Sequence, residues 1–264
     1  MLALTNLMIM VTRPAPAGLA LCELITKQGG KSLHFPTIAF APADQAQLNT
    51  AIDHLDEQAW WIFISPQAVY ASLPAIRRRF PVLPAEVKLA AVGGGTAAIL
   101  QEAGYEVSAY PSEEWNSEGL LALPPFQEVE TQKIAIIRGE GGREFLATEL
   151  IARGAIITPV IAYQRILPNL DITTALHILK TQQLDVIICG SFEGVRHLKT
   201  LLTDEAWPYL NTLPLVVMSK RVKLLAEDLG FQTIWVAENA SHAAVLTLLA
   251  QKRNELCQIK MNKN

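Results

Sequence analysis

The chain has 264 residues, half of them hydrophobic, enough to bury one large core or two ordinary ones. Only 18% of residues are charged and the formal net charge is −3, which argues against a nucleic-acid binder and leaves any anionic ligand to local geometry. Cys22, Cys189 and Cys257 are odd in number and widely spaced, so they form neither a disulfide framework nor a metal pattern. The N-terminal MLALTNLMIMVTRP lacks a basic leader, and its apolar run is too short to span a membrane; a soluble cytoplasmic protein is the simplest expectation.

In chain order, a strand Leu7–Val11 leads through Thr12-Arg13-Pro14 to a helix Gly18–Lys27 and a strand from Ser32 to Ile38. A polar helix is expected over Asp44–Asp56 and a strand over Trp60–Ile64, which stops at Ser65-Pro66. Helix Gln67–Arg79 is interrupted at Pro74, and strand Lys88–Val92 runs into Gly93-Gly94-Gly95-Thr96. Helix Ala97–Ala103, extended Tyr105–Tyr110 and helix Ser117–Leu123 precede Pro124-Pro125.

Lys133 to Arg165 then reads as a βαβ unit. Ile134, Ile136 and Ile137 favour a buried strand, and the Gly139-Glu140-Gly141-Gly142 turn carries Arg138 and Arg143 on its flanks. Leu146, Leu150 and Ile151 recur at helical spacing up to Gly154, and a second β-branched run ends at Tyr163. Helices Ile172–Lys180, Glu193–Leu202, Val222–Leu229 and Ser241–Gln251 alternate with strands Asp185–Cys189, Leu213–Met218 and Gln232–Val236. The polar, basic stretch Lys252–Asn264, and within it 254–264, reads as a mobile tail.

The halves repeat. Ser65 maps on Ser191, Val92 on Met218 and Gly104 on Gly230, each 126 residues apart, while Arg13 maps nearly on Arg138. A repeat of this length is a duplicated domain, each copy a parallel sheet wrapped by helices in flavodoxin-like order. Ligands on such sheets sit at the C-terminal strand ends, where Thr12-Arg13, Ser65, Gly93–Thr96, Arg138–Arg143, Ser191 and Ser219-Lys220-Arg221 all fall. Two such sheets with facing loops would form an interdomain cleft. Periodicity alone splits the chain into contiguous halves near Pro124-Pro125.

Each candidate has a bland and a functional reading. Gly93–Thr96 lacks the Walker lysine and the dinucleotide spacing, so a turn or non-nucleotide ligand loop is expected. Gly139–Arg143 suits an acid-binding loop or a structural turn, with Glu140 disfavouring phosphate. Ser65 and Ser191 suit helix N-caps or carboxylate donors; neither has a GxSxG frame or a histidine partner for nucleophilic catalysis. His34, His54, His177, His197 and His242 show no metal-ligand spacing, Cys189 reads as core, and Arg77-Arg78-Arg79 as a solvated helix end. Tyr163 reads as an aromatic packed at a strand end. Its counterpart in the first copy is taken as Phe40, so the hydroxyl breaks the symmetry of the repeat.

These segments together resemble uroporphyrinogen-III synthases over about residues 8–250. The likeness rests on Val11-Thr12-Arg13-Pro14, Ser65-Pro66-Gln67-Ala68-Val69, Ala91-Val92-Gly93 with Thr96-Ala97, and Ser117-Glu118-Gly119-Leu120-Leu121. It continues through Arg138-Gly139 with Gly142-Arg143-Glu144, Tyr163-Gln164-Arg165 and Gly190-Ser191, and the order and spacing are more specific than any one motif. The resemblance implies two flavodoxin-like α/β domains, one from residues 1–38 plus 166–253 and the other from 42–163, with paired linker strands near Pro36–Pro42 and Ile161–Pro168. It implies cofactor-free cyclisation and dehydration of hydroxymethylbilane to uroporphyrinogen III, with inversion of the last ring through a spiro intermediate. Tyr163 matches the tyrosine proposed as the acid. Arg13, Ser65, Thr96, Arg138, Gly142, Arg143, Ser191, Ser219, Lys220 and Arg221 are candidates to hold the eight substrate carboxylates. Ser219-Lys220-Arg221 departs from the family's glycine-proline-threonine type of loop. A monomer receiving its linear tetrapyrrole from the preceding pathway enzyme is also implied. The alternative is a non-catalytic two-domain binding module for a small anion.

Overall fold

The computed structural model describes residues 2–142 and 144–261, without the side chains of residues 203, 204, 260 and 261. The chain divides into two compact units, Met1–Ala39 with Ile166–Asn264, and Phe40–Arg165. Each holds a five-stranded sheet with helices on both faces.

In the first unit the order is β10(Ile234–Val236), β9(Leu215–Val217), β8(Val186–Ile188), β1(Met8–Val11), β2(Lys31–His34), all parallel. The inner strands β1, β8 and β9 are short and wholly apolar, as strands covered on both faces must be, while the edge strand β2 is mostly polar. Alternation then sends successive side chains to different cores. Met10, Ile187, Leu215 and Val217 pack with helices α7(Thr173–Lys180), α8(Phe192–Leu210) and α9(Lys220–Asp228). Ile9, Val11, Val186, Ile188 and Val216 pack with α1(Ala17–Lys27), α10(His242–Gln251) and α11(Arg253–Met261).

The second unit repeats the plan as β3(Ala39–Pro42), β7(Ile156–Ile166), β6(Lys133–Gly139), β4(Trp60–Phe63), β5(Lys88–Ala91). Trp61, Phe63, Ala135 and Ile137 face α2(Gln45–Asp53), α3(Pro66–Arg79) and α4(Gly94–Glu102). Trp60, Ile62, Ile134 and Ile136 face α5(Ser117–Ala122) and α6(Phe145–Ala152).

The duplicated copies are not the two units. Strands β1 and β2 of the first copy share a sheet with β8, β9 and β10 of the second, joined by the β1–β8 pair, while β6 and β7 of the second share one with β4 and β5 of the first, joined by the β4–β6 pair. A contiguous split near Pro124-Pro125 is therefore overturned: those prolines form a short 3-10 turn inside the second unit, anchored by fully buried Phe126.

Other expectations shift for local reasons. Helix α8 runs on to Leu210 because Leu198, Leu202, Ala206 and Leu210 keep a four-residue spacing and are all buried, with Pro208 tolerated in the last turn. Helix α3 likewise continues through Pro74. Tyr105–Tyr110 supplies only one parallel bridge, Ala109 to Ala90, at the place β10 occupies in the other sheet. The stretch from Arg253 to Met261 is helical, not a mobile tail; Leu256 is 1% exposed and belongs to the core of the first unit. Leu256→Ala is expected to cost about 2–5 kcal/mol of stability, as other buried leucine truncations do. Denaturant unfolding checks this, and an unchanged midpoint would return that stretch to a tail.

Candidate functional site

In the second unit, β4 ends at Phe63, and Ser65 caps α3 by accepting a hydrogen bond from the Ala68 amide at 3.2 Å. The neighbouring strands β6 and β7 run in register until Arg138 pairs with Ile161 and Gly139 with Tyr163, so Ala162 is skipped in a β-bulge. The bulge turns Tyr163 onto Gly139. A Cβ at position 139 would lie 2.5 Å from one Tyr163 ring carbon and 2.6 Å from another, so only glycine leaves room for the ring. The Glu140 amide donates to the Tyr163 carbonyl at 2.8 Å, which closes the bulge.

Tyr163 is 1% exposed. Phe40 packs edge-on against its ring with centroids 5.3 Å apart. The hydroxyl sits 3.2 Å from Ser65 Oγ and accepts from the Arg165 guanidinium at 3.3 Å, while the Arg165 guanidinium carbon stands 5.5 Å from the ring centroid. The structure therefore brings Ser65 and Tyr163 together and adds Arg165, which sequence reasoning did not select. Its signal was present as the third residue of Tyr163-Gln164-Arg165: alternation on a strand returns residue 165 to the face of residue 163.

Arg138 is buried, and three of its five N–H groups bond to the loop that follows. It donates to Glu144 Oε2 at 2.8 Å, to the Gly141 carbonyl at 2.6 Å and to the Gly139 carbonyl at 3.3 Å. Gly141 and Gly142 both have positive φ, 65° and 94°, which lets the backbone fold around that guanidinium. Arg138 thus builds the loop from within, and removing it would leave the loop carbonyls and Glu144 without their donor. Gly142 is exposed beside the Arg165 guanidinium; Arg143 lies outside the described residues.

Gly93 caps α4 at the end of β5, with Trp115 packed on Gly93 and Gly94, and the buried Thr96 one turn on. The Trp115 indole donates to the Ser112 carbonyl at 3.2 Å yet leaves the side chain largely exposed.

The first unit carries its own strand-end loops. Ser191 caps α8 through the Gly194 amide at 3.0 Å, and Ser219 caps α9 through the Val222 amide at 3.3 Å. Ser191 meets the N-capping reading, as Ser65 does, Ser219 adds a cap of the same kind, and each is worth ~0.5–2 kcal/mol. Lys220 and Arg221 are exposed on the first turn of α9, with Arg221 over the Phe192 ring at 5.5 Å. Half-buried Arg13 donates to the Ala240 carbonyl at 2.9 Å and lies beside Gly190, which places it with the Ser191 loop. Burial lowers the pKa of the Arg13 guanidinium, and it raises that of the Cys189 thiol, a core group with Thr12 and Thr37 as neighbours.

Register also corrects the repeat. Met8 pairs with Lys31 in one sheet and Ile134 with Ile157 in the other, both displaced by 126 residues; the same displacement takes Tyr163 to Thr37, not Phe40. The repeat partner therefore has a hydroxyl, and Phe40 is instead the ring that packs on Tyr163.

Among the described residues no three His, Cys, Asp or Glu side chains come together as a metal site, and no helix is long and apolar enough to cross a membrane. Fold and loops together define a duplicated α/β protein of the doubly wound class, with hydroxyls, amides and guanidinium groups at the C-terminal strand ends. Comparison with known proteins narrows the class. The family model described as uroporphyrinogen-III synthase HemD matches residues 20–247. The chain is 34% identical to the uroporphyrinogen-III synthase of Escherichia coli over 91% of this chain and 99% of that one, and 34% identical to that of Salmonella typhimurium over the same shares. Solved uroporphyrinogen III synthases share the fold: a mutant from Thermus thermophilus has a TM-score of 0.61 at 16% identity, covering 96% of this chain and 99% of that one. The enzyme from Helicobacter pylori has 0.61 at 17%, covering 93% and 98%. The chain belongs to the uroporphyrinogen-III synthase family.

Two outcomes are expected from this geometry. Gly139→Ala forces the Tyr163 ring aside and should cost about 1–3 kcal/mol by overpacking; an unchanged unfolding midpoint contradicts the close approach. His242 has its pKa lowered from 6.5, first by burial and then by the charge of Arg13, against a smaller opposing hydrogen bond to Ala17. The folded chain therefore takes up that proton later than the unfolded one as pH drops. Its contribution to stability is intact above 6.5 and is lost as pH falls toward the lowered value. His242→Gln should reduce the acid sensitivity of the unfolding midpoint, and an identical pH profile contradicts the assignment.

Proposed function

We propose that the chain cyclises hydroxymethylbilane to uroporphyrinogen III with inversion of the last ring, and that Tyr163 supplies the proton for departure of the terminal hydroxyl. The observation that carries this is the Tyr163 hydroxyl held by a β-bulge at the strand ends, 3.2 Å from Ser65 and 3.3 Å from Arg165. Family membership supports the reaction, and the hydroxyl supports the residue.

Hydroxyl loss from the linear tetrapyrrole gives an azafulvene cation. Attack at the substituted end of the last ring gives a spiro intermediate, and migration then closes the inverted macrocycle. Unguided closure gives the unrotated isomer, so positioning must set the outcome as well as the rate. A phenol is a suitable acid because it carries no charge when substrate binds, and the Arg165 guanidinium faces the phenolate that forms. No cofactor enters these steps.

The carboxylates need donors that a chain of net charge −3 cannot supply as a general field. Helix N-termini and loop amides fill that role, with the backbone amides at the α3 N-terminus after Ser65, Thr96 and Gly142 in one unit and Arg13, Ser191, Ser219, Lys220 and Arg221 in the other. Arg138 contributes chiefly by holding its loop, because it is buried and bonds to Gly139, Gly141 and Glu144. On this reading Ser219 stands for the threonine of the family's usual loop, and a monomer works in the cytoplasm on material handed over by the preceding enzyme.

Tyr163→Phe is expected to slow isomer III formation by ~10²–10⁴-fold, the usual contribution of a positioned acid, with an unchanged unfolding midpoint. A rate equal to that of the unmodified chain removes Tyr163 as the acid and leaves it a packing residue.

A further inference from the structure

A general acid must reach the group it protonates, yet Tyr163 is 1% exposed, enclosed by Gly139, Phe40 and Arg165. Ser65, its hydroxyl neighbour at 3.2 Å, is half-buried at the strand end. The partners of the two hydroxyls fix which way the bond between them runs. A guanidinium can only donate, so the Tyr163 oxygen accepts from Arg165. A backbone amide can only donate, so Ser65 Oγ accepts from Ala68.

One proton remains on each hydroxyl. If Ser65 donated to Tyr163, the phenolic proton would be buried with no acceptor among the described residues, a costly arrangement. If Tyr163 donates to Ser65, every buried group is satisfied and the Ser65 proton is left for a group outside. The second arrangement is the one that burial selects.

We infer that Ser65 is the residue that delivers the proton to the leaving hydroxyl, with Tyr163 behind it as the proton source and Arg165 facing the phenolate that results. This rests on the reading of Tyr163 as the acid and adds how a buried phenol can act. As the carbon–oxygen bond of the substrate breaks, its electron pair leaves with oxygen, which takes the Ser65 proton while Ser65 Oγ takes the Tyr163 proton. Water, an azafulvene cation and a phenolate beside the Arg165 guanidinium are the products of this step. The cyclised framework later loses one proton to reach the neutral product, and that proton restores the phenol. Ser65 therefore has two duties, the N-cap of α3 and the relay.

The two duties separate by substitution. Asparagine caps helices about as well as serine but has no hydroxyl to pass a proton on, whereas threonine keeps both functions. In the full-length chain supplied with fresh hydroxymethylbilane, Ser65→Asn and Ser65→Ala are each expected to slow isomer III formation by ~10²–10⁴-fold, like Tyr163→Phe. Ser65→Thr should stay within about tenfold of the unmodified chain, and Ser65→Asn should keep its unfolding midpoint. The double variant Ser65→Asn with Tyr163→Phe should be no slower than the slower single one, because groups acting as a unit are lost together.

Near-normal activity in Ser65→Asn beside a slow Tyr163→Phe overturns the relay and leaves Tyr163 as the acid. Multiplying single defects in the double variant also overturn the relay. A normal rate in Tyr163→Phe overturns the relay together with the reading it rests on.

Discussion

Between Arg138 and Gly139 the ladder joining β6 and β7 slips by one residue, and this slip decides which side chain stands over the strand end. Without it Ala162 would pair at Gly139 and the phenol would point to the opposite face of the sheet. With it the ring lies flush on a residue that has no side chain, and its hydroxyl arrives between Ser65 and Arg165. The surrounding loop depends on the same point: buried Arg138 draws the Gly139 and Gly141 carbonyls and Glu144 around itself, and two positive-φ glycines permit that path. A local irregularity in a parallel ladder thus sets both the position of the phenol and the shape of the loop beside it.

The rest of the fold supplies a rigid mount for that irregularity. Strands β4 and β6 are buried on both faces between two cores, and α3 is fixed to the end of β4 by the Ser65 cap. The same plan recurs in the first unit, where Ser191 and Ser219 cap helices that follow β8 and β9. Duplication explains the recurrence, and the difference between Tyr163 and its true partner Thr37 shows where the copies part. Thr37 is a small hydroxyl residue in the core of its unit, beside Thr12 and the Cys189 thiol, while Tyr163 fills the equivalent place with a ring that needs the bulge to fit.

Much of this was legible in the residues. The β-branched runs, the helix spacings and the serines following strands located most elements and the caps at Ser65 and Ser191, because those signals are local. The domain arrangement was not, since a repeat reveals what is duplicated but not which copies pair. Parallel strands β1 and β8 bring Ile9 against Val186, far apart in the chain and with no turn between them to announce the pairing. The resemblance to a known family pointed to the discontinuous arrangement that periodicity missed. The end of the chain failed for a related reason: α11 is polar on most of its surface, and one buried leucine is a weak periodic signal. Arg138 was read as a candidate partner for substrate acids, and sequence could not show that it also bonds to Gly141 and Glu144 within its own loop.

The most direct measurement is the isomer composition when the full-length chain is given freshly prepared hydroxymethylbilane. Isomer III formed faster than spontaneous closure is the expected result, since a positioned phenol and held carboxylates must act on both rate and ring orientation. Isomer I alone, at the rate seen without protein, would contradict the assignment of this activity to the chain.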